Sequence, residues 1–236
     1  MKKSTAFQTS LIVLVIAAAA ACEHVGTLNT ETKTVPLGEA KSADVRIRIG
    51  AGELTVQGGA KELLEGEFTT NIRRWMPEVD YRVLEGRGVI RIEPRRHSSG
   101  IPFGNSKNRW DVRLQNGFPI ELKVRLGAGE SRLDLRDIDV TSLDINMGVG
   151  ELSLDLSGDR KHDLNVSIDG GVGHATIYLP SDVGIRAKVD GGIGSVNARG
   201  LAKSNGAYTN DAYGKSPVTL NISIDAGIGS IDLRVR

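Results

Sequence analysis

Along most of this chain apolar and polar residues alternate one for one, and the alternation breaks at short glycine corners. Leu143, Ile145 and Met147 fall on one side of such a run, with Asp144 and Asn146 on the other. Beyond the corner, Leu152, Leu154 and Leu156 continue it, with Ser153 and Asp155 opposite. Successive side chains of a strand point to opposite faces, so a period of two predicts strands with one buried and one solvated face. Six segments share the plan of alternation, Gly-x-Gly, alternation: residues 45–56, 122–135, 143–156, 164–179, 185–198 and 220–233. Their corners hold Gly50 and Gly52, Gly127 and Gly129, Gly148 and Gly150, Gly171 and Gly173, Gly192 and Gly194, and Gly227 and Gly229. These twelve glycines are read as structural turn residues, because a Cβ there would obstruct both the tight corner and the stacking of one corner on the next.

The spacing selects an architecture. From Gly127 to Gly192 the first glycine of the motif recurs after 21, 23 and 21 residues. Short strands at such a rhythm also suit a sandwich or barrel. A near-constant unit with the same corner in the same place favours a solenoid, in which each unit buries its apolar face against its neighbours. The expectation is therefore an all-β fold: a single parallel β-solenoid, taken as a right-handed β-helix, with its glycines stacked at one corner. Two intervals break the rhythm, 77 residues from Gly50 to Gly127 and 35 from Gly192 to Gly227. The first is expected to form an elaborated N-terminal cap with an exposed loop at 97–108. The second is expected to form a projecting hairpin or loop at 200–217. Irregular ends serve a solenoid because open strand edges invite pairing with other chains.

The N-terminus obeys a different pattern. Lys2 and Lys3 precede eleven apolar residues from Leu11 to Ala21. That length suits the apolar region of a secretion signal and is too short to span a bilayer as a helix. The run Ala19-Ala20-Ala21-Cys22 resembles a bacterial lipobox, although Ala19 stands where Leu is usual. The resemblance implies that Cys22 is lipidated, with palmitate among the expected acyl chains, and becomes the mature N-terminus. Cys22 is the only cysteine, so it has no internal disulfide partner, and a free exposed thiol would be reactive. The alternative is ordinary cleavage after an Ala-x-Ala site, which leaves that thiol free. The organisation expected is a signal peptide at 1–21, a lipid-anchored tether at 22–34, a cap region at 35–121 and the repeat solenoid at 122–236. Export to the cell envelope follows. In a cell with two membranes, Glu23 is not an Asp-type inner-membrane retention signal, which favours the outer membrane.

Composition narrows the chemistry. A formal net charge of +1 leaves no nucleic-acid footprint. With 29 glycines and only 4% aromatic residues, small and aliphatic side chains must build the core. His24, His97, His162 and His174 are not at metal-ligand spacing from one another or from Cys22. His174 follows a corner where other repeats carry Glu or Ser, which reads as a solvated position. Asp169, Asp190 and Asp225 precede the glycines of the last three repeats and would approach one another if those corners stack, a conceivable Ca²⁺ site. The calcium-binding β-roll pattern, however, requires Asp where Ala175 and Val196 stand. Neither a metal nor a cofactor is expected, and the aspartates are read as acceptors for turn N–H groups. Each Gly-x-Gly leads into a strand rather than a helix, which argues against a dinucleotide fingerprint. Glu53, Glu130 and Glu151 follow three corners at equivalent positions, which reads as repeat identity before it reads as a catalytic pair. Trp110 lies in an alternating arm and is expected in the core. Arg73, Arg74, Arg95, Arg96, Lys107 and Arg109 read as a solvated basic face, or as a contact with anionic headgroups or cell-wall polymer.

Residues 30–68, followed by PEVDYRV, RWDVRL and FPIELKVRLGAGESRLDL, resemble the N-terminal part of the bacterial toast-rack proteins. The later GVG and GIG corners are similar to repeats in the C-terminal domain of LiaF-type membrane-stress regulators. The resemblance covers nearly all of the chain beyond Cys22. It implies a rack of stacked strands and an envelope location, and it supplies no catalytic residues. No multi-span membrane domain of the LiaF type is expected, so direct regulation of a kinase is not implied. The function expected is a membrane-anchored, non-enzymatic envelope scaffold or adhesin-like module. Its partners would be the membrane, through the lipid, and an envelope protein or cell-wall polymer. The rivals are a carbohydrate-binding or carbohydrate-active β-helix and an accessory protein of an envelope-stress signalling system.

Overall fold

The computed structural model describes residues 26–95 and 105–236. The secretion signal, Cys22, Glu23 and His24 lie outside the described residues, as do Arg96, His97 and most of the 97–108 loop. Among the described residues thirteen strands form one sheet. In chain order they are β1 (Asn29–Val35), β2 (Ser42–Ala60), β3 (Leu64–Thr70), β4 (Pro77–Leu84), β5 (Arg87–Pro94) and β6 (Asn108–Gln115). Then come β7 (Ile120–Asp134), β8 (Val140–Asp155), β9 (Leu164–Leu179), β10 (Gly184–Arg199), β11 (Ala202–Ser204), β12 (Ala207–Thr209) and β13 (Thr219–Val235). Among the described residues a single 3-10 turn, Arg73–Trp75, interrupts them. No helix among the described residues is long and apolar enough to cross a membrane.

The six Gly-x-Gly segments are the long strands β2, β7, β8, β9, β13 and β10, and they pair in parallel in that spatial order. Each runs through its corner as one strand, the pairing lapsing only at the first glycine and resuming in the same register. It thus has a first arm before the glycines and a second arm after them, and the apolar residues of both join one core. Ladder register places like on like: Ile47, Val124, Ile145, Ile168 and Ile224 follow one another across the first arms. Val56, Leu133, Leu154, Ile177 and Leu233 do the same across the second arms. Each of these ten side chains is at least 96% buried.

Apart from Gly50, the corner glycines are required by the backbone that lies beneath them. A Cβ on Gly148 would stand 2.3 Å from the carbonyl oxygen of Gly127, and one on Gly150 would stand 1.8 Å from that of Gly129. Gly150 also has φ at +143°, a conformation that side chains of L-residues avoid.

Three features differ from the expectation. First, part of the segment 22–34 is not a tether: β1 begins at Asn29 and pairs antiparallel with β3 along its whole length. Its charged residues fit an edge position, where they discourage further pairing. Thr30 and Thr69 share a hydroxyl hydrogen bond of 2.8 Å, and Lys33 pairs with Glu31. Second, spatial order departs from chain order at the C-terminal end. β13 lies between β9 and β10, so the last segment is interior and β10 is the outer coil. Third, the 200–217 segment does not simply project. Its strands β11 and β12 form a hairpin, and β12 pairs with Arg186 and Ala187 of β10. Asn210 clamps it there, its Oδ1 accepting the Ile185 N–H at 2.9 Å and its amide donating to the Val183 carbonyl at 2.8 Å.

The cap is itself a modified coil. β5 runs parallel to the first arm of β2, and β6 runs parallel to its second arm. Asn108, at the start of β6, lies against Gly52 of the β2 corner. Asn108 closes this end, donating to the Ala51 carbonyl at 2.7 Å and accepting the Trp110 indole N–H at 2.9 Å. Trp110 is fully buried and meets Phe68 edge to face at 5.5 Å. Between coils, the buried Arg160 donates to the carbonyls of Leu135, Ile138 and Leu156, tying two successive return loops together.

Candidate functional site

The outward residues of the second arms build a ruled polar face. The position after each corner carries, across adjacent strands, Arg109, Glu53, Glu130, Glu151, His174, Ser230 and Ser195. Two residues further along, the row reads Asp111, Thr55, Arg132, Ser153, Thr176, Asp232 and Asn197. Parallel strands lie about 4.8 Å apart, so each row spans nearly 30 Å. A groove of about 330 Å³ runs between them, lined by Glu53, Arg109, Glu130, Arg132, Glu151 and His174 among others. At one end Arg109 holds Glu53 at 2.8 Å. Glu130 and Glu151 extend the row as further carboxylates, giving the centre of the groove an acidic character.

His174 is the one imidazole in this face. Its Nδ1 lies 2.6 Å from the Ser230 hydroxyl and its Nε2 lies 3.1 Å from that of Thr176. Asp232 stands 3.7 Å from Nε2. Serine, histidine and aspartate together invite comparison with a nucleophile, base and orienting group. Acyl transfer also needs N–H donors aimed at a developing oxyanion. Ser230 sits within β13, which is paired on both sides, so the N–H groups around it are committed to the ladders. The arrangement can recognise polar groups, but it offers a reacting carbonyl no oxyanion hole.

Glu53, Glu130 and Glu151 are thus brought into one row, and His174 continues it. Asp169, Asp225 and Asp190 also stand in register on adjacent first arms. Even so, no group of three or more His, Cys, Asp or Glu among the described residues is arranged to hold a metal ion. His162 belongs elsewhere, in a return loop, where it meets Asp139 at 2.5 Å. That hydrogen bond, aided by the Asp163 carbonyl, raises its pKa above the ordinary histidine value. Asp44, buried under the Arg46 guanidinium, has its pKa lowered by that hydrogen bond. Both are structural pairings away from the groove.

The contacts of His174 with Ser230 and Asp232 were not legible in the sequence, because chain order places the coil of Ser195 next. A second feature was also missed. The middle residues of the corners, Ala51, Ala128, Val149, Val172 and Ile228, stand in register and form an apolar ridge along the edge of the rack. Val149, Val172 and Ile228 are about half exposed. The enlargement from Ala to Val to Ile along the corners was the available signal.

Comparison with known proteins agrees with this architecture. The profile of the N-terminal domain of toast_rack, DUF2154, matches residues 24–178. The profile of the cell wall-active antibiotics response protein LiaF, C-terminal, matches residues 126–233. No curated protein matches the chain. Among solved structures, a candidate cell adhesion protein of Clostridium sporogenes ATCC 15579 is 35% identical, with a TM-score of 0.86 over 89% of this chain and 100% of that one. A candidate adhesin of Bacteroides fragilis NCTC 9343 is 12% identical over 88% of this chain and 97% of its own, with a TM-score of 0.27. With its N-terminal two-thirds matched by the family profile and its strands stacked corner on corner, the chain belongs to the toast-rack family.

Proposed function

We propose that this chain is a lipid-anchored, non-enzymatic interaction module of the bacterial envelope, adhesin-like in that it binds through a long regular face. The observation that carries the reading is the ruled polar face itself. Groups of different chemistry, from Glu to His to Ser, occupy one repeat-equivalent row, whereas catalysis needs particular groups converging on one point. Affinity would come from many shallow contacts along the groove, with the neighbouring apolar ridge adding desolvated area. The similarity to a candidate cell adhesion protein at 35% identity supports the same class. Anchoring rests on Cys22 and the apolar run before it, and two acyl chains would suffice for stable attachment. Cys22→Ala is expected to move the protein from the membrane to the soluble fraction, and unchanged retention would overturn the anchor. Binding is tested separately with a glycan array and isolated cell wall. Retention that falls about tenfold in a Glu130→Gln, Glu151→Gln variant supports the groove. Turnover of any glycan, abolished by one of those changes, would overturn the non-enzymatic reading.

The match of residues 126–233 to the LiaF C-terminal profile favours one second reading, an accessory role in envelope-stress signalling. Deleting the gene and measuring the response to a cell-wall antibiotic separates the two, since a pure adhesin leaves that response unchanged.

A further inference from the structure

We propose that a cleft in the N-terminal cap docks the headgroup of an anionic phospholipid, fixing how the rack stands on its membrane. The inference rests on the anchor at Cys22 proposed above. The cleft measures about 460 Å³ and is lined by Gly26, Thr27, Asn29, Glu31, Arg73 and Arg95 among others. It lies where the described chain begins. Gly26 is held there by its N–H, which donates to the Asn71 carbonyl at 2.9 Å. Asn71 is a hub for the same corner: its backbone N–H donates to the Lys107 carbonyl, its side-chain oxygen accepts the Lys107 N–H at 2.7 Å, and its amide donates to the Asn105 carbonyl at 2.7 Å. Arg73 follows two residues later, so one asparagine gathers the chain exit, Arg73 and Lys107 at one end of the molecule.

Charge and reach then point to the same partner. Arg73 and Lys107 are exposed at this end. The acidic residue in the cleft, Glu31, is already paired with Lys33 at 3.2 Å, and Arg95 is paired loosely with Glu78 at 3.5 Å. The local balance is therefore positive, although the whole chain is nearly neutral at +1. Four peptide steps separate Cys22 from Gly26, and a chain of that length reaches at most about 14 Å. A lipid on Cys22 would hold this cleft within a short distance of the bilayer surface. There the potential of anionic lipid acts on basic groups and fades within a Debye length of about 8 Å. Guanidinium groups suit the phosphoryl oxygens of a headgroup through paired N–H donors. The docked molecule stands on its cap, with β10 outermost and the polar face running away from the membrane.

The test uses residues 22–236 carrying Cys22→Ser, which retain every strand of the fold and cannot be acylated there. Sedimentation is measured with vesicles of equal parts phosphatidylglycerol and phosphatidylcholine, and with phosphatidylcholine alone. Binding is expected to the anionic vesicles only, and to fall with added salt. Arg73→Gln with Arg95→Gln should lower partitioning about 25-fold at low ionic strength, roughly fivefold per charge. Arg73→Lys with Arg95→Lys should retain most of it, and Arg82→Gln with Arg113→Gln, remote from the cleft, should leave it unchanged. Thermal unfolding of each variant verifies the fold, and the lysine pair and the salt titration keep the test decisive if the glutamine pair unfolds. Equal binding to both vesicle types, or no loss in the Arg73, Arg95 glutamine pair, overturns the proposal. Mass spectrometry of Cys22 in the cell-derived protein separates the two ideas. An acylated chain whose Cys22→Ser form ignores anionic vesicles overturns the cleft alone. An unacylated chain that still binds them overturns the anchor and leaves the cleft standing.

Discussion

Gly50 and Gly148 hold the same place in the motif, but among the described residues only Gly148 has a glycine corner packed against its missing side chain. A Cβ on Gly148 would lie 2.3 Å from a backbone carbonyl oxygen, whereas among the described residues one on Gly50 meets nothing within 4 Å. Neither has a positive φ that would itself forbid alanine. Gly50→Ala is therefore expected to change stability by less than about 1 kcal/mol, with a bias toward stabilisation from the reduced freedom of the unfolded chain. Gly148→Ala forces neighbouring backbones apart and should cost about 3 kcal/mol or more. Urea unfolding of both variants checks the contrast. Equal costs would mean that the glycines serve the corner alone and not the stacking. The sequence marked all twelve glycines alike, and the distinction between them arises only from which coil lies beneath.

At the scale of elements, the long arms were readable because alternation and a fixed corner report a face and a spacing, and both are local. The return loops were not readable in the same way, since their partners come from neighbouring coils. His162, in the loop between β8 and β9, reaches Asp139 in the loop between β7 and β8. Its pKa is raised in the folded protein, so the protonated form binds more tightly there than in the unfolded chain. The stabilisation is complete below the unfolded value of about 6.5 and is lost as pH rises through the higher folded value. Thermal scans between about pH 6 and pH 8 should show a fall in Tm of about a degree or two, small because the pair is half-exposed. His162→Gln should flatten that dependence. A slope that survives the substitution would assign it to another group.

For the whole molecule, sequence rhythm conveyed the stacked architecture but not the final order of its coils. The 35-residue interval before Gly227 marked an irregularity without saying that the last segment returns inward. Nothing local could say so, because the corners of β9, β10 and β13 are nearly interchangeable: Asp169, Asp225 and Asp190 share one row. The polar face was half legible for the same reason. Its row of Glu53, Glu130 and Glu151 followed from the repeat, while the neighbours of His174 depended on the insertion. A chain ending at Pro217 should therefore keep β2 to β9 but leave β10 and its hairpin without a partner, lowering Tm by more than about 10 °C. A peptide of residues 218–236 added in trans should restore it. If β10 instead closes against β9, using the shared register, the peptide will find no slot and the truncated chain will already be stable.

The inward return of β13 also has a consequence for biosynthesis. A solenoid built in chain order could consolidate coil by coil as it is made, and a prematurely ended product would be a shorter but serviceable rack. Here β10 and its hairpin are made first and must wait, with their permanent neighbour still unsynthesised. The last 17-residue strand closes the gap from within, so the C-terminal coils become stable together and late. An incomplete chain carries an unfilled seam rather than a clean end, and that seam exposes it to proteolysis. Any chain that lacks β13 leaves β10 uncovered on the side that faces β9.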